Sequence, residues 1–233
     1  MSRIVHISRS LALLAVLVMF GGVAVAPAMA AIITYNFSGT VNFVGNNLTP
    51  PTPAPFNTGA LNNLTGTMTV DNSDGTSGGV IGTYTIQNIN LQIGTYSATF
   101  GPGGGLVTIR NGNGGGAGGD RFLVTADVDG PNAGNRAPGA FTINLRGPAS
   151  GPGNVFTTDA LPNPAPSVSS FTNRNIFRLQ FGNGNGDNRA VQGFLTSLTA
   201  VPLPPAMILF GVGLVALIGL GAGGLRNLRL PQA

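Results

Sequence analysis

The chain has 233 residues and a formal charge of +4, with 11 basic and 7 acidic side chains. It contains no cysteine, tryptophan, lysine or glutamate, and its one histidine is His6. His6 lies in the N-terminal segment that is predicted below to be removed, so the rest of the chain excludes Ser-His-Asp, Cys-His and Ser-Lys nucleophile systems, disulfides and the usual His/Cys zinc sites.

The first 30 residues have the pattern of a secretory signal peptide. Arg3 and Arg9 precede an apolar run over 11–25, and Ala28 and Ala30 follow at the small-residue spacing that signal peptidase reads. We therefore expect cleavage after Ala30 and export of the rest of the chain across a membrane. The apolar run is short for a membrane span, which also favours a signal peptide.

Residues 31–200 form the predicted exported domain, long enough for one ordinary domain. They hold seven arginines and seven aspartates, because the other four arginines lie in the two ends of the chain. A formally neutral domain lacks a large phosphate-neutralising surface. Nucleic acid is therefore not an expected partner.

Short segments with alternating apolar and polar residues follow one another through this domain. In the first, "IITYNFSGTVNFV", Ile33, Tyr35, Phe37, Val41 and Phe43 are predicted to share the core face. "LTGTMTV" alternates in the same way, and "IQNINLQIGTYSATF" predicts a hairpin that turns at Gly94-Thr95. Further strands are predicted at 106–110, 121–128, 141–145, 176–181 and 191–199.

No stretch of this domain keeps a helical apolar period for three turns, and clusters of Gly, Asn and Pro separate the segments. Eight or more short strands with such connectors predict an all-β fold. We expect an antiparallel β-sandwich or a jelly-roll-like domain.

Three aspartates are weak candidates for a metal site, with calcium as the cofactor to consider. Asp120 lies in Gly115–Leu123, which fits the G-G-x-G-x-D-x-U-x calcium nonapeptide, although one copy supplies only half a site. Asp127 and Asp129 would lie side by side on one strand face, where they could hold calcium or catalyse glycoside hydrolysis. The alternatives are a hairpin loop around Asp120 and a turn at Asp129-Gly130-Pro131.

The last 33 residues contain a second apolar run. Residues 206–225 carry no charged side chain, and about 20 helical residues reach ~30 Å, the thickness of one bilayer core. Arg226 and Arg229 follow in the tail 226–233 and favour a cytoplasmic location for it. We therefore predict a transmembrane helix at 206–225 with the preceding domain outside.

A proline-containing motif precedes this run, and its residues are Val201, Pro202, Leu203, Pro204, Pro205 and Ala206. Prolines disfavour helix at the residue before them, so 201–205 should be extended. The motif, apolar span and basic tail together resemble the PEP-CTERM sorting signal, in the variant that reads Val-Pro-Leu-Pro-Ala. Here Leu203 replaces the Glu of the founding motif, and Pro205 replaces the Ala of the variant.

The resemblance implies a bacterial protein that the tail holds in the inner membrane until an exosortase-like transpeptidase cuts near the motif. It implies a cell-surface or extracellular-matrix protein with a structural or adhesive role, not an enzyme, in contact with extracellular polysaccharide. Two alternatives stay open: a secreted glycan-active hydrolase that uses paired aspartates, and a calcium-dependent glycan-binding module. Tyr35, Tyr84 and Tyr96 could either stack on sugars or pack in the core.

Overall fold

The computed structural model describes residues 32–48, 56, 63–73, 75, 79–112, 119–148, 155–183 and 186–201. The predicted signal peptide (1–30) lies outside these residues. The predicted span (206–225), the basic tail (226–233) and the motif from Pro202 onward also lie outside them. Within the described residues, no helix has the length and apolar character needed to cross a bilayer.

Eight antiparallel strands follow one another along the chain. They are β1 (Ile32–Val44), β2 (Asn63–Asp71), β3 (Ile81–Ile93), β4 (Tyr96–Arg110), β5 (Arg121–Asp129), β6 (Pro138–Arg146), β7 (Arg174–Phe181) and β8 (Ala190–Val201). Short 3₁₀ turns lie at Asn46–Leu48, Val168–Ser170 and Asp187–Arg189. The predicted hairpin is the β3–β4 hairpin, in which Ile93 lies opposite Tyr96.

Each strand pairs with the next one in sequence, and β8 pairs with β1, so the sheet closes into a barrel. The closing pair runs from Thr34 opposite Val201 to Val44 opposite Val191. The chain is all-β and antiparallel, but the prediction of a sandwich or jelly roll is wrong. Alternating segments serve a sandwich and a barrel equally well. The difference lies in the strand order, which is sequential here, and in the pairing of β8 with β1 that closes the sheet.

The barrel is filled by its own side chains. The inward residues of all eight strands form one cluster of buried apolar side chains. Gly66 is one position where a close approach requires glycine, because a β-carbon there would overlap the ring of Phe37. Register shifts in β1, β3, β4 and β8 mark bulges or other irregularities that help long strands to bend around this core.

Different connections between strands lie at the two ends of the barrel. β1 starts and β8 finishes at one end, which we call the entry end; the opposite end is called the far end. The residues 155–173 that connect β6 to β7 cross the entry end, where Phe156, Leu161 and Phe171 are buried. The far end holds the turn Asn46–Leu48 and the connection from β5 to β6.

Buried tyrosines attach these connections to the barrel. The hydroxyl of Tyr35 donates to the carbonyl oxygen of Pro162 at 2.6 Å, and that of Tyr84 donates to the carbonyl oxygen of Asp159 at 3.0 Å. At the far end, the hydroxyl of Tyr96 donates to the carbonyl oxygen of Pro131 at 3.0 Å. All three tyrosines therefore face the core, and the sugar-stacking alternative does not fit them.

Candidate functional site

Seven large apolar side chains are exposed in the described part of the chain, and two of them are aromatic. Among the described residues they are Ile32, Phe43, Val80, Ile81, Leu106, Phe194 and Val201. Phe43 and Phe194 are the aromatic members, and both line one groove on the outer wall near the far end. Exposed aromatic rings that share a groove with polar groups are a usual mark of a binding site.

A bulge in β1 exposes Phe43. Inward residues alternate regularly from Ile33 to Val41, but the register against β8 shifts between Val41 and Phe43. As a result Asn42 and Phe43 are both exposed, and 37 % of Phe43 is accessible. The prediction that Phe43 belongs to the core face is wrong, because strict alternation assumes a strand without an extra residue.

The second ring comes from β8. Phe194 lies opposite Thr40 and is 50 % exposed, while Gln192 lies opposite Phe43. Gly193 lies between Gln192 and Phe194. The ring of Phe177 lies so close to it that a β-carbon at this position would overlap the ring. The two aromatic rings therefore flank a stretch of wall that carries amide groups.

The groove has a volume of about 430 Å³ and mixes apolar and amide side chains. Its lining residues are Asn42, Phe43, Ile176, Asp187, Asn188, Gln192, Gly193 and Phe194. Each side-chain amide offers both a hydrogen-bond donor and an acceptor. Aromatic rings beside such groups match a ligand with apolar C–H faces and hydroxyl edges.

The acidic side chain at this groove is held by an arginine. Arg178 Nη1 lies 2.7 Å from Asp187 Oδ1, and Arg178 Nε and Nη2 donate to Gln180 Oε1 at 3.0 Å and 2.8 Å. The ion pair offsets the charge of Asp187 at the edge of the groove. The groove therefore suits an uncharged ligand better than an ionic one.

A larger groove of about 640 Å³ lies on the outer wall over β1 to β4. Asn36, Thr67, Asn90 and Thr99 form one cross-strand row there, and all four are exposed. The exposed side chains that line it carry hydroxyl and amide groups, and none of them is aromatic. Such side chains are usual on any strand face in contact with solvent. The smaller groove is therefore the stronger candidate for a binding site.

The three weak metal candidates do not come together. Asp120 is buried and accepts hydrogen bonds from the backbone N–H groups of Gly112 at 2.6 Å and Phe156 at 2.8 Å. Asp127 and Asp129 lie two apart on the outer side of β5, as predicted, but each binds a backbone N–H, that of Gly103 and that of Gly130 respectively.

These bonds give the three aspartates structural partners. Among the residues that the structure describes, no three Asp, Glu, His or Cys side chains form a metal-binding group. Asp127 lines a shallow groove with Gly103 to Leu106, whereas Asp129 does not line it. A cleft with two facing carboxylates, which the hydrolase alternative needs, is therefore not formed by this pair.

The sorting motif can be located only at its first residue. Val201 is the last residue of β8 and is 42 % exposed at the entry end. Pro202, Leu203, Pro204, Pro205 and Ala206 lie outside the described residues, as do Arg226, Arg229, Ala28 and Ala30.

Burial changes the acidity of two tyrosines. Burial raises the pKa of Tyr35, and Tyr84 adds a smaller effect in the same direction. Burial also raises the pKa of Tyr96, with a smaller contribution from Asp129. Both hydroxyls therefore remain protonated donors well above neutral pH.

No known protein-family model matches the chain, and neither a curated protein nor a solved structure is significantly similar to it. The resemblance of the C-terminal motif to the PEP-CTERM signal therefore stays a prediction.

Proposed function

We propose that this protein is an exported bacterial protein of the cell surface or extracellular matrix, with a structural or adhesive role and no catalytic activity. Signal peptidase removes 1–30, the segment 206–225 holds the protein transiently at the inner membrane, and an exosortase-like transpeptidase acts at 201–206. Extracellular polysaccharide is the partner of the barrel. These steps rest on the sequence patterns at the two ends.

The groove that contains Phe43 and Phe194 supports the polysaccharide partner. Sugar rings present C–H faces that pack on aromatic rings, and their hydroxyls exchange hydrogen bonds with amides such as those of Asn42 and Gln192. The groove contains both kinds of group, and the acidic residue at its edge is paired. A neutral or weakly charged polysaccharide is the best match.

The absence of a facing carboxylate pair at Asp127 and Asp129 favours binding over hydrolysis. Glycoside hydrolysis needs two carboxyl groups on either side of the scissile bond. These two side chains instead lie on one strand face and accept hydrogen bonds from nearby backbone. Binding of a polysaccharide does not require two carboxyl groups that face each other.

The test is a binding titration of the full chain, kept in a neutral detergent, against dextran, cello-oligosaccharides and alginate. Phe194→Ala should weaken binding to the preferred neutral polysaccharide about tenfold or more, because exposed aromatic anchors dominate such contacts. Leu106→Ala is the matched control, since Leu106 is 47 % exposed on the outer wall but does not line this groove. Equal losses in both variants, or no binding to any of the three, would contradict the proposal.

A further inference from the structure

Four arginines form a continuous row across the outer wall at the entry end. Arg110 lies opposite Arg121, Arg121 opposite Arg146, and Arg146 opposite Arg174. Each residue is the first or last of its strand. With neighbouring strands about 4.8 Å apart, the row extends over roughly 14 Å.

This row lacks acidic partners in the described part of the chain. None of the four arginines forms an ion pair there, since the described pair joins Arg178 to Asp187. Arg121 Nε donates to Asn144 Oδ1 at 3.1 Å, whereas the buried Nε atoms of Arg110 and Arg146 have no hydrogen-bond partner. The nearest carboxylate in sequence, Asp120, is buried and bound to backbone N–H groups.

The crowding of like charges disfavours this row in the isolated protein. Burial lowers the pKa of Arg121, and its neighbours Arg146, Arg174 and Arg110 lower it further. Like charges directly opposite each other on adjacent strands destabilise a sheet. An anion that lies along the row would relieve this repulsion.

Exposed aliphatic side chains lie at the same end of the barrel. They are Ile32, Val80, Ile81 and Val201, between 42 % and 54 % exposed. Ile81 lies directly opposite Arg110, so the aliphatic and basic groups adjoin. Basic side chains next to exposed aliphatic ones are typical of surfaces that rest on anionic membranes.

We propose that the entry end of the barrel docks on the surface of a bilayer that contains anionic phospholipids. The arginine row binds lipid phosphates, and the aliphatic side chains enter the headgroup region. The proposal rests on the membrane location proposed above, because β8 ends at Val201 at this same end of the barrel and the apolar segment starts five residues later, at Ala206. An acidic polysaccharide would satisfy the arginines but gives no role to the aliphatic side chains.

Docking would orient the barrel. The groove with Phe43 and Phe194 lies near the far end, since Phe43 is close to the last residue of β1 and Phe194 close to the first of β8. With the entry end on the lipid, this groove would lie on the side wall at the end of the barrel that is distant from the membrane. The barrel would then present its polysaccharide-binding surface outward while it is still tethered.

The test uses the lack of native cysteine, so that a single introduced one carries a fluorescent label. Thr172→Cys places the label at the entry end and Thr95→Cys at the far end, and both threonines are exposed. The full chain is incorporated into vesicles of phosphatidylcholine alone or of phosphatidylcholine with phosphatidylglycerol, each with a lipid-borne quencher. We expect strong quenching of the Thr172→Cys label in the anionic vesicles only, reversed by high salt.

Paired variants identify the arginine row as the cause. Arg121→Gln/Arg146→Gln should lower the ratio of docked to undocked barrel roughly 30-fold, at ~1 kcal/mol for each basic residue near an anionic surface. Arg136→Gln/Arg189→Gln removes the same charge from the connections at the far end and should leave quenching unchanged. An equal loss in the two pairs would overturn the proposal.

The remaining outcomes separate this proposal from the one on which it rests. If the chain does not associate with neutral vesicles, the proposed apolar anchor at 206–225 is refuted. Docking is then tested with anionic vesicles alone. Salt-sensitive association that requires the arginine row would support docking, and no such association would overturn it. Row-dependent binding to alginate without any response to phosphatidylglycerol would assign the row to an acidic polysaccharide and overturn the lipid assignment.

Discussion

Arg121 and Arg146 lie directly opposite each other on β5 and β6, and both belong to the outer wall of the barrel. Neighbouring strands bring such side chains within a few ångströms, and neither residue has an acidic partner among the described residues. A sheet gains nothing in stability from this arrangement. Its presence therefore points to an interaction outside the barrel.

Removal of one member of the row should stabilise the protein. Arg146→Gln removes repulsion from Arg121 and Arg174, and we expect the free energy of unfolding to rise by about 0.2–1 kcal/mol at low salt. The gain should shrink at high salt, because ions screen the repulsion in the parent chain. Urea denaturation at two salt concentrations measures both effects.

The control for this variant is Arg178→Gln, which removes an arginine with a carboxylate partner, Asp187. This variant loses a partly exposed ion pair and also the two hydrogen bonds from Arg178 to Gln180 Oε1, so it should lower the free energy of unfolding by about 1–3 kcal/mol. Stabilisation by Arg178→Gln as large as that by Arg146→Gln would show that reduced net charge, and not the row, is responsible.

Much of the barrel could be predicted from sequence alone, because alternation identifies inward residues wherever a strand is regular. The β3–β4 hairpin and the buried Leu64, Met68 and Val70 of β2 follow from this rule. Closure could not be predicted, since it depends on the register between β1 and β8, which no local pattern encodes. Alternation places Phe43 on the wrong face for a related reason, because the register shifts between Val41 and Phe43.

The arginine row does not follow from the composition, because a domain with balanced charges can still carry a local basic surface. Part of the signal is in the sequence: Arg110 ends the predicted segment 106–110 and Arg121 begins the predicted segment 121–128. Arg146 and Arg174 lie just outside the predicted segments 141–145 and 176–181, and the structure extends both strands to include them. In a meander, the end of one strand and the start of the next lie at the same end of the sheet. Knowledge of the strand order would have been enough to place them together.

Gly66 should tolerate no side chain. Gly66→Ala places a β-carbon where the ring of Phe37 lies, so the ring must move within a packed core, at a cost of about 1–3 kcal/mol in the free energy of unfolding. Gly186→Ala is the matched control, since nothing lies near its β-carbon position and its φ of −70° suits alanine. Thermal melts that show equal effects would mean that Phe37 can move freely.

Tyr35 should make stability depend on alkaline pH. Burial raises its pKa above the usual value near 10, so the unfolded chain releases the proton first as the pH rises. The stabilisation is complete below about pH 10 and decreases above it, because the unfolded state then binds fewer protons than the folded state. Urea denaturation across this range should show the decrease.

Tyr35→Phe tests the source of that dependence. It removes the part-buried hydrogen bond to the carbonyl oxygen of Pro162 and should cost about 0.5–1.5 kcal/mol at neutral pH, the usual net contribution of one intramolecular hydrogen bond. The alkaline decrease in stability should become shallower in this variant, although Tyr96 still contributes. An unchanged alkaline slope would show that Tyr35 does not cause it.

Asp120 should act as a structural residue. Its carboxylate accepts hydrogen bonds from the backbone N–H groups of Gly112 and Phe156, so Asp120→Ala should lower the free energy of unfolding by about 1–3 kcal/mol. If this is its role, the loss should be the same with calcium and with a chelator. A loss confined to calcium-containing buffer would instead support the calcium-site alternative, since a bound ion stabilises by mass action.

Processing should remove both ends of the chain. Mass spectrometry of the protein recovered from the cell surface should find a form that starts at Ala31 and ends between Val201 and Pro205. Because β8 ends at Val201, such a cut leaves all eight strands in place, and the released form should melt at the same temperature as the tethered one. Replacement of Pro202 and Pro204 by alanine should preserve the tail, since the extended segment that a transpeptidase needs is lost. A recovered wild-type chain that still carries Arg226 and Arg229 would mean that the segment 206–225 is a permanent anchor.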